Sequence, residues 1–132
     1  DFESKTFLSN ITKYSIKELS EESKKEIENE INFLEEEILN KVKEISKKDY
    51  KNFTILFQDI IEISFIISNS MYKSFFQIII NEFQIVISYL FYHFNDIKVK
   101  NEEKKVKKIR DIFVKQITNL VNDYIICLKR VL

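Results

Sequence analysis

Apolar residues recur at helical spacing in the first third of the chain. Over residues 22–48 they step by three or four positions, and the positions between them are mostly Glu and Lys. This spacing predicts an amphipathic helix with one buried face. Ser23 and Glu26 match the capping box that starts many helices, and Asp49 is a candidate cap for the next helix. The predicted buried stripe is Ile27, Ile31, Leu34, Ile38, Val42 and Ile45.

Similar stripes occur towards both ends of the chain. Residues 101–131 carry a long, regular stripe that predicts the last helix of the fold. Residues 3–19 carry a shorter stripe, which predicts a short extra N-terminal helix lying against the others. The last stripe is Val106, Ile109, Phe113, Ile117, Leu120, Tyr124, Leu128 and Val131, and the first is Phe7, Leu8, Ile11, Tyr14 and Leu19.

The most apolar stretch is residues 50–94, where only five residues carry a formal charge. One helix of this length would extend to roughly 67 Å, far beyond its neighbours. The polar triplet at 68–70 therefore predicts a break, with helices over 50–69 and 71–95. Both are apolar most of the way round, so we expect them to lie centrally. Their common seam would contain Phe53, Phe57, Ile60, Ile67, Met71, Phe75, Ile78, Ile85, Tyr89 and Tyr92.

These elements predict an all-α protein, an up-and-down four-helix bundle with a short extra N-terminal helix in one domain over residues 1–132. The composition supports this prediction. Hydrophobic residues make up 45% of the chain, too many for a disordered protein. Gly and Pro are both absent, which disfavours tight β-hairpins and leaves helix ends to Ser, Asp and Asn.

Charge is balanced over the whole chain but not along it. Lys+Arg and Asp+Glu each number 21, so the net charge favours neither nucleic acid nor an acidic partner. Residues 1–48 hold 9 basic and 12 acidic side chains, whereas residues 98–132 hold 10 and 4. We expect the acidic helix over residues 22–48 to pack beside the basic last helix. The alternative is a basic face that binds anionic lipid or nucleic acid.

Candidate catalytic residues are few. His93 has Asp96 three positions on, but no nucleophile stands beside the pair in a recognisable motif, which favours a structural histidine. Cys127 falls on or beside the apolar side of the last helix and is interpreted as a small core residue. The sequence contains no HExxH, CxxC or Gly-rich phosphate loop. It therefore predicts a protein without enzymatic activity, metal, cofactor or small-molecule substrate.

A basic cluster precedes and opens the last predicted helix. Glu102 and Glu103 dilute it, and no aromatic residues alternate with the lysines, so we do not expect nucleic acid binding. Contact with an anionic membrane surface is the functional interpretation, since each basic residue adds about 1 kcal/mol there. A solvated linker is the alternative. The cluster is Lys98, Lys100, Lys104, Lys105, Lys107, Lys108 and Arg110.

Residues 74–94 have the length of a membrane-spanning helix. Glu82 near their middle makes a permanent span cost about 2.5–3.5 kcal/mol. We instead expect a buried helix that turns onto a membrane when the bundle opens. The predicted membrane contacts are Phe75, Phe76, Phe83, Phe91 and Phe94, together with Lys104, Lys105, Lys107, Lys108 and Arg110. The polar residues expected to be buried in such a bundle are Ser64, Asn81, Glu82, Gln84 and Ser88.

The alternative function is a structural or adaptor bundle that binds a protein partner through one helix face. The two functions predict different surfaces. A bundle that opens should bury polar groups between its central helices, whereas an adaptor should expose an apolar patch of a few hundred Å².

The composition and the runs SFFQIIINEF and NEEKKVKKIRD resemble those of small secreted helical proteins of malaria parasites, the sporozoite micronemal proteins for cell traversal among them. The resemblance implies a four-helix bundle that is secreted, lacks enzymatic activity and acts in crossing or wounding host cell membranes. It carries no motif that assigns functional residues. The chain begins at Asp1 without Met, as expected if a signal peptide had been removed.

Overall fold

A computed structural model of the chain describes residues 20–70, 77–94 and 100–131, which form four α-helices and no strand. The helices are α1 (Glu21–Lys47), α2 (Phe53–Ser68), α3 (Gln77–His93) and α4 (Glu102–Val131). The predicted all-α four-helix bundle is confirmed, and so is the break in the central stretch. The predicted helix over residues 3–19 lies outside the described residues.

Ion pairs show that α1 and α2 run antiparallel. The Lys41 ammonium in α1 lies 2.8 Å from the Glu62 carboxylate in α2. Lys48, just beyond the end of α1, lies 3.1 Å from Asp59, which is closer to the start of α2. The residue order is therefore reversed between the two helices.

Contacts between α4 and α1 also join residues in reversed order, so these two helices are antiparallel. Near the start of α4, Arg110 donates a hydrogen bond to the carbonyl oxygen of Lys48. Near its end, Lys129 lies 3.5 Å from Glu35. α1 and α4 also form the most extensive helix pair of the fold, so the expected packing of the acidic helix beside the basic one is confirmed.

Aromatic contacts place α3 between α2 and α4. Phe53 opens α2, and its ring centroid lies 4.5 Å from that of Phe94, the residue after α3, in a tilted arrangement, so these two helices are antiparallel as well. Phe83 of α3 meets Phe113 of α4 edge-to-face at 6.0 Å. The four helices thus alternate in direction around one apolar core.

The core follows the predicted stripes of the two long helices. All six stripe residues of α1 are buried, and α4 contributes most of its predicted residues. Leu120 is only partly buried, while Val121 and Ile125 are buried instead; the side chain of Val131 lies outside the described set. Apart from α1, the buried core residues include Leu56, Ile60, Ile63, Ile67, Phe83, Leu90, Val106, Ile109, Phe113, Ile117, Val121, Tyr124, Ile125, Cys127 and Leu128.

The helix starts differ from the predicted caps. Ser20, not Ser23, caps α1, because its hydroxyl oxygen accepts a 3.1 Å hydrogen bond from the Ser23 amide. Asn52, not Asp49, caps α2 by accepting from the Ile55 amide at 3.2 Å. A serine or asparagine at the residue before the first helical turn satisfies an otherwise free backbone donor, and the sequence offers several such residues close together.

The central placement expected for α2 and α3 is wrong. Each buries one side and exposes the other, and Ile85, Tyr89 and Tyr92 of the predicted seam are 60%, 53% and 75% exposed. Phe83 and Leu90 are the buried core residues of α3, and Ile80, Val86 and Ile87 are partly buried and pack against the same core. In a four-helix ring every helix keeps an outer side, and among the described residues nothing covers that of α3.

Candidate interaction surface

α3 presents an outer face without charge. All of the exposed side chains that the structure describes on α3 are uncharged, whereas exposed positions of α1 and α4 are mostly Glu, Asp, Lys or Arg. Charged residues form 32% of the chain, so their absence here is a marked local depletion. We call this surface the α3 outer face: Gln77, Asn81, Gln84, Ile85, Ser88, Tyr89, Phe91 and Tyr92.

Two rows run along the α3 outer face. Ile85, Tyr89 and Tyr92 are spaced by four and three residues and form an apolar row. Gln77, Asn81, Gln84 and Ser88 form a polar row beside it. Within the polar row, the Gln77 side-chain amide donates to Asn81 Oδ1 at 3.1 Å. The helix thus offers a partner both apolar area and neutral hydrogen-bonding groups.

Aromatic packing anchors the C-terminal end of this face. Phe91 is 61% exposed, yet its ring centroid lies 6.1 Å from those of both Phe53 and Phe57 on α2. On the other side of the helix, the His93 ring lies 4.2 Å from that of Tyr89. Such aromatic pairs hold the rings in place and pre-organise the exposed surface.

A second surface with exposed apolar residues lies between α1 and α2. A groove of about 410 Å³ is lined by Phe33 and Phe65, which are 57% and 59% exposed. Glu30, Glu37 and Glu62 also line it, and the Ser70 hydroxyl donates to Glu30 at 3.0 Å. Three carboxylates thus line this groove, whereas the exposed residues of the α3 outer face carry none.

A polar network at the other end of α1 serves to join helices. Asp59 of α2 accepts hydrogen bonds from the Tyr50 hydroxyl and from Lys48. Burial alone would raise the pKa of the Asp59 carboxyl, but these two hydrogen bonds and the charge on Lys41 outweigh burial and hold its pKa below the ordinary value. Burial, and then the hydrogen bond to Asp59, raise the pKa of the Tyr50 phenol.

Lys41 completes this network. Its hydrogen bond to Glu62 raises its pKa above the ordinary value; partial burial opposes this rise and the charge on Asp59 adds to it. The Lys41 ammonium is therefore charged at neutral pH, and the network holds α1 against α2. Its groups satisfy one another, which is the arrangement of a structural site rather than a catalytic one.

The predicted membrane-contact residues are not brought together on one surface. Phe83 is fully buried against Phe113, and Arg110 is 7% exposed because it bonds to the end of α1, so neither is a surface contact in this state. Phe91 is exposed and Phe94 is half-buried. Phe75 and Phe76 lie outside the described residues. Of the lysines, Lys105 is half-buried, and the exposed ones are Lys104, Lys107 and Lys108.

The burial predicted for five polar residues is largely wrong. Asn81, Gln84 and Ser88 are exposed, because they lie on the side of α3 opposite Phe83. Glu82 is half-buried at the edge of that side. Ser64 is also half-buried, and its hydroxyl donates to the Ile61 carbonyl of its own helix at 2.7 Å. The polar groups predicted for an opening bundle are therefore not hidden between helices.

The structure shows where the candidate catalytic residues lie. His93 packs against Tyr89 and Tyr92, and Cys127 is buried, as its interpretation as a core residue requires. In the described ranges no three His, Cys, Asp or Glu side chains are grouped as a metal site would require. No helix in the described part of the chain combines the length and the apolar character needed to cross a bilayer.

The comparisons with known proteins add nothing to this geometry. No family model, curated protein or solved structure is found to match the chain. The resemblance to secreted proteins of malaria parasites stays a prediction.

Sequence reasoning missed the α3 outer face because it weighed apolar residues alone. Ile85, Tyr89 and Tyr92 were expected in the core as part of a long seam. The spacing of Gln77, Asn81, Gln84 and Ser88 by four, three and four residues was the available signal, since a polar row marks the side of a helix that faces outward.

Proposed function

We propose that this chain is a non-enzymatic interaction module, a four-helix bundle that binds a protein partner through the α3 outer face. The observation that carries the proposal is that this face is aromatic, exposed and free of charge. Protein interfaces differ from other surfaces in being enriched in aromatic residues and depleted of charge at their centre. Tyr is also enriched among the few residues that carry most of the binding energy when a partner excludes water from them.

The polar residues of α3 support binding of a protein over opening of the bundle. An opening bundle was expected to bury Asn81, Gln84 and Ser88, and all three are exposed. The core residues of α3, above all Phe83, pack tightly against α4. The described helices therefore present a formed surface whose partner need not rearrange them.

Site-specific photo-crosslinking tests this function. A photoreactive phenylalanine analogue placed at Tyr92 should crosslink to protein in native cell extract, and the crosslinked residues can be mapped by mass spectrometry. The same probe at Asn122, an exposed position of α4, is the matched control. An excess of the unlabelled chain should compete with the crosslink, whereas the Ile85→Lys, Tyr92→Lys double variant should not. Equal labelling from both probe positions, or crosslinks to lipid only, would exclude the proposal.

A membrane-surface function is the second candidate, and one observation favours it. Aromatic residues and exposed lysines lie at the same end of the bundle. Phe91 contacts Phe53 at the start of α2. Lys104 and Lys107 line a cleft of about 420 Å³ together with Lys51, which is two residues before Phe53. Aromatic rings and basic side chains together are the usual contacts of peripheral proteins with anionic lipid. In this function the chain would act at host cell membranes as a secreted protein.

Flotation and leakage assays test the membrane function. The wild-type chain should float with vesicles of phosphatidylcholine and phosphatidylserine at neutral or acid pH. The variant in which Lys104, Lys107 and Lys108 are all replaced by Gln should not bind these vesicles. The control replaces Lys25, Lys43 and Lys47 on α1, which are also exposed. Absence of binding and leakage at both pH values would exclude this function.

A further inference from the structure

We propose that the partner of the α3 outer face is a second copy of this chain, bound antiparallel across a two-fold axis near the middle of α3. This inference rests on the proposed protein-binding function and specifies its partner. It starts from the chemistry of the face, which contains apolar, amide and hydroxyl groups but no charged group.

Neutrality favours self-association over other occupants. In a two-fold contact the same surface lies on both sides, so a charge near the axis meets a like charge, and a charge farther out needs an opposite charge at the matching position. The exposed members of the α3 outer face avoid this cost, and Glu82, which is half-buried, lies only at its edge. A charged protein partner would find no counter-charge on it, and an anionic membrane would find no basic residue. Among these three occupants, a neutral copy of the same face fits best.

The hydrogen-bonding groups of the face are self-complementary. Each side-chain amide of Gln77, Asn81 and Gln84 both donates and accepts, and so does each tyrosine hydroxyl. Identical rows can therefore bond to each other without leaving donors facing donors. The spacing of Ile85, Tyr89 and Tyr92 supplies the apolar seam along which two helices pack.

The area is sufficient for a stable dimer. Each apolar member of the face leaves more than half of its side chain exposed. On the order of 100 Å² per side chain, over the whole face, gives at most roughly 800 Å² per copy, and this limit matches what each partner contributes to a standard interface.

The antiparallel arrangement follows from the helix dipoles and predicts specific pairs. Opposed macrodipoles attract, whereas parallel ones repel. With the two-fold axis near Ile85, Tyr92 of one copy lies level with Gln77 of the other, in the neighbouring row and within reach of its long side chain. Within one chain these residues are about 22 Å apart along α3, too far for contact. A Gln77–Tyr92 contact can thus form only between copies.

Sedimentation equilibrium of the whole chain tests this proposal. The expected mass is twice the chain mass of 16.0 kDa at high concentration, falling to 16.0 kDa on dilution. Tyr92→Lys should abolish the dimer at every concentration, while Asn122→Lys on α4 should leave it intact. Adding Gln77→Glu to Tyr92→Lys should restore the dimer, since the introduced carboxylate and ammonium then meet across the two-fold axis.

The outcomes are distinguishable from those that test the proposed function. A mass of 16.0 kDa up to the highest soluble concentration, or equal effects of Tyr92→Lys and Asn122→Lys, would overturn the dimer. If the crosslinks from position 92 then map to a different protein, the interaction function stands and only the identity of the partner changes. A dimer that survives Tyr92→Lys would place the interface elsewhere and overturn this proposal.

Discussion

Nη1 of Arg110 donates a 2.7 Å hydrogen bond to the carbonyl oxygen of Lys48, 62 positions earlier in the chain. This carbonyl stands at the C-terminal end of α1, where the helix leaves acceptors without backbone partners. The buried guanidinium satisfies one of them, and its charge suits the negative end of the helix dipole. Asp111 accepts from the same side chain at 2.9 Å, so the cation is paired as well. Arg110, a residue of the basic cluster, therefore links α4 to the end of α1.

Replacing Arg110 should destabilise the bundle. Arg110→Met keeps much of the side-chain volume but removes the charged donor from the Lys48 carbonyl, and we expect a loss of about 1.5–3 kcal/mol. Urea unfolding followed by circular dichroism measures the change. Lys108→Met, at an exposed position two residues away, should stay within about 0.5 kcal/mol of wild type. Equal effects of the two variants would contradict the role given to Arg110.

Asp59 should make stability depend on acid pH. Its pKa is lowered on folding, so its stabilising contribution is complete above the unfolded value of about 3.9 and is lost as the pH falls through the folded value. Asp59→Asn should therefore cost about 1–3 kcal/mol at neutral pH, and the difference from wild type should shrink below about pH 4.

Urea unfolding at a series of pH values measures this dependence. Glu36→Gln, which removes an exposed carboxylate from α1, is the control and should change stability by less than about 0.5 kcal/mol throughout. An Asp59→Asn effect that does not vary with pH would show that the carboxylate acts by packing rather than by charge.

Phe83 should act as a core residue. It is fully buried and meets Phe113 edge-to-face, so Phe83→Ala should cost about 3–5 kcal/mol through lost burial and the cavity left behind. Phe65→Ala removes the same atoms at a position that is 59% exposed and should cost far less. Thermal or urea unfolding compares the two, and similar losses would refute the assignment of Phe83 to the core.

The Cys127 thiol should report opening of the fold. It is buried in α4, so a thiol reagent should label it only when the C-terminal part of α4 separates from the core. Labelling in native buffer should be slow and should accelerate through the urea transition. A chain carrying Cys127→Ala and Asn122→Cys exposes its thiol and should react at once. Rapid labelling of wild type in buffer would instead indicate local opening of α4.

Local patterns determined most of the helical architecture. The stripes of α1 and α4 predict their buried faces because each alternates regularly with charged residues, which cannot be buried cheaply. The polar triplet at 68–70 likewise located the break between α2 and α3, since it interrupts an otherwise apolar stretch. Charge along the chain also predicted that α1 and α4 are neighbours, and Lys129 lies 3.5 Å from Glu35 across that pair.

Only the tertiary structure decided which sides of α2 and α3 are covered. Where a helix is apolar on most of its sides, its sequence gives little contrast between a buried and an exposed face, and the packing of its neighbours decides which apolar residues are covered. That is why Phe83 faces the core while Tyr92 stands in solvent, and why Arg110 leaves the basic cluster to reach Lys48. The α3 outer face exists because four helices enclose one core and leave the remaining apolar side uncovered.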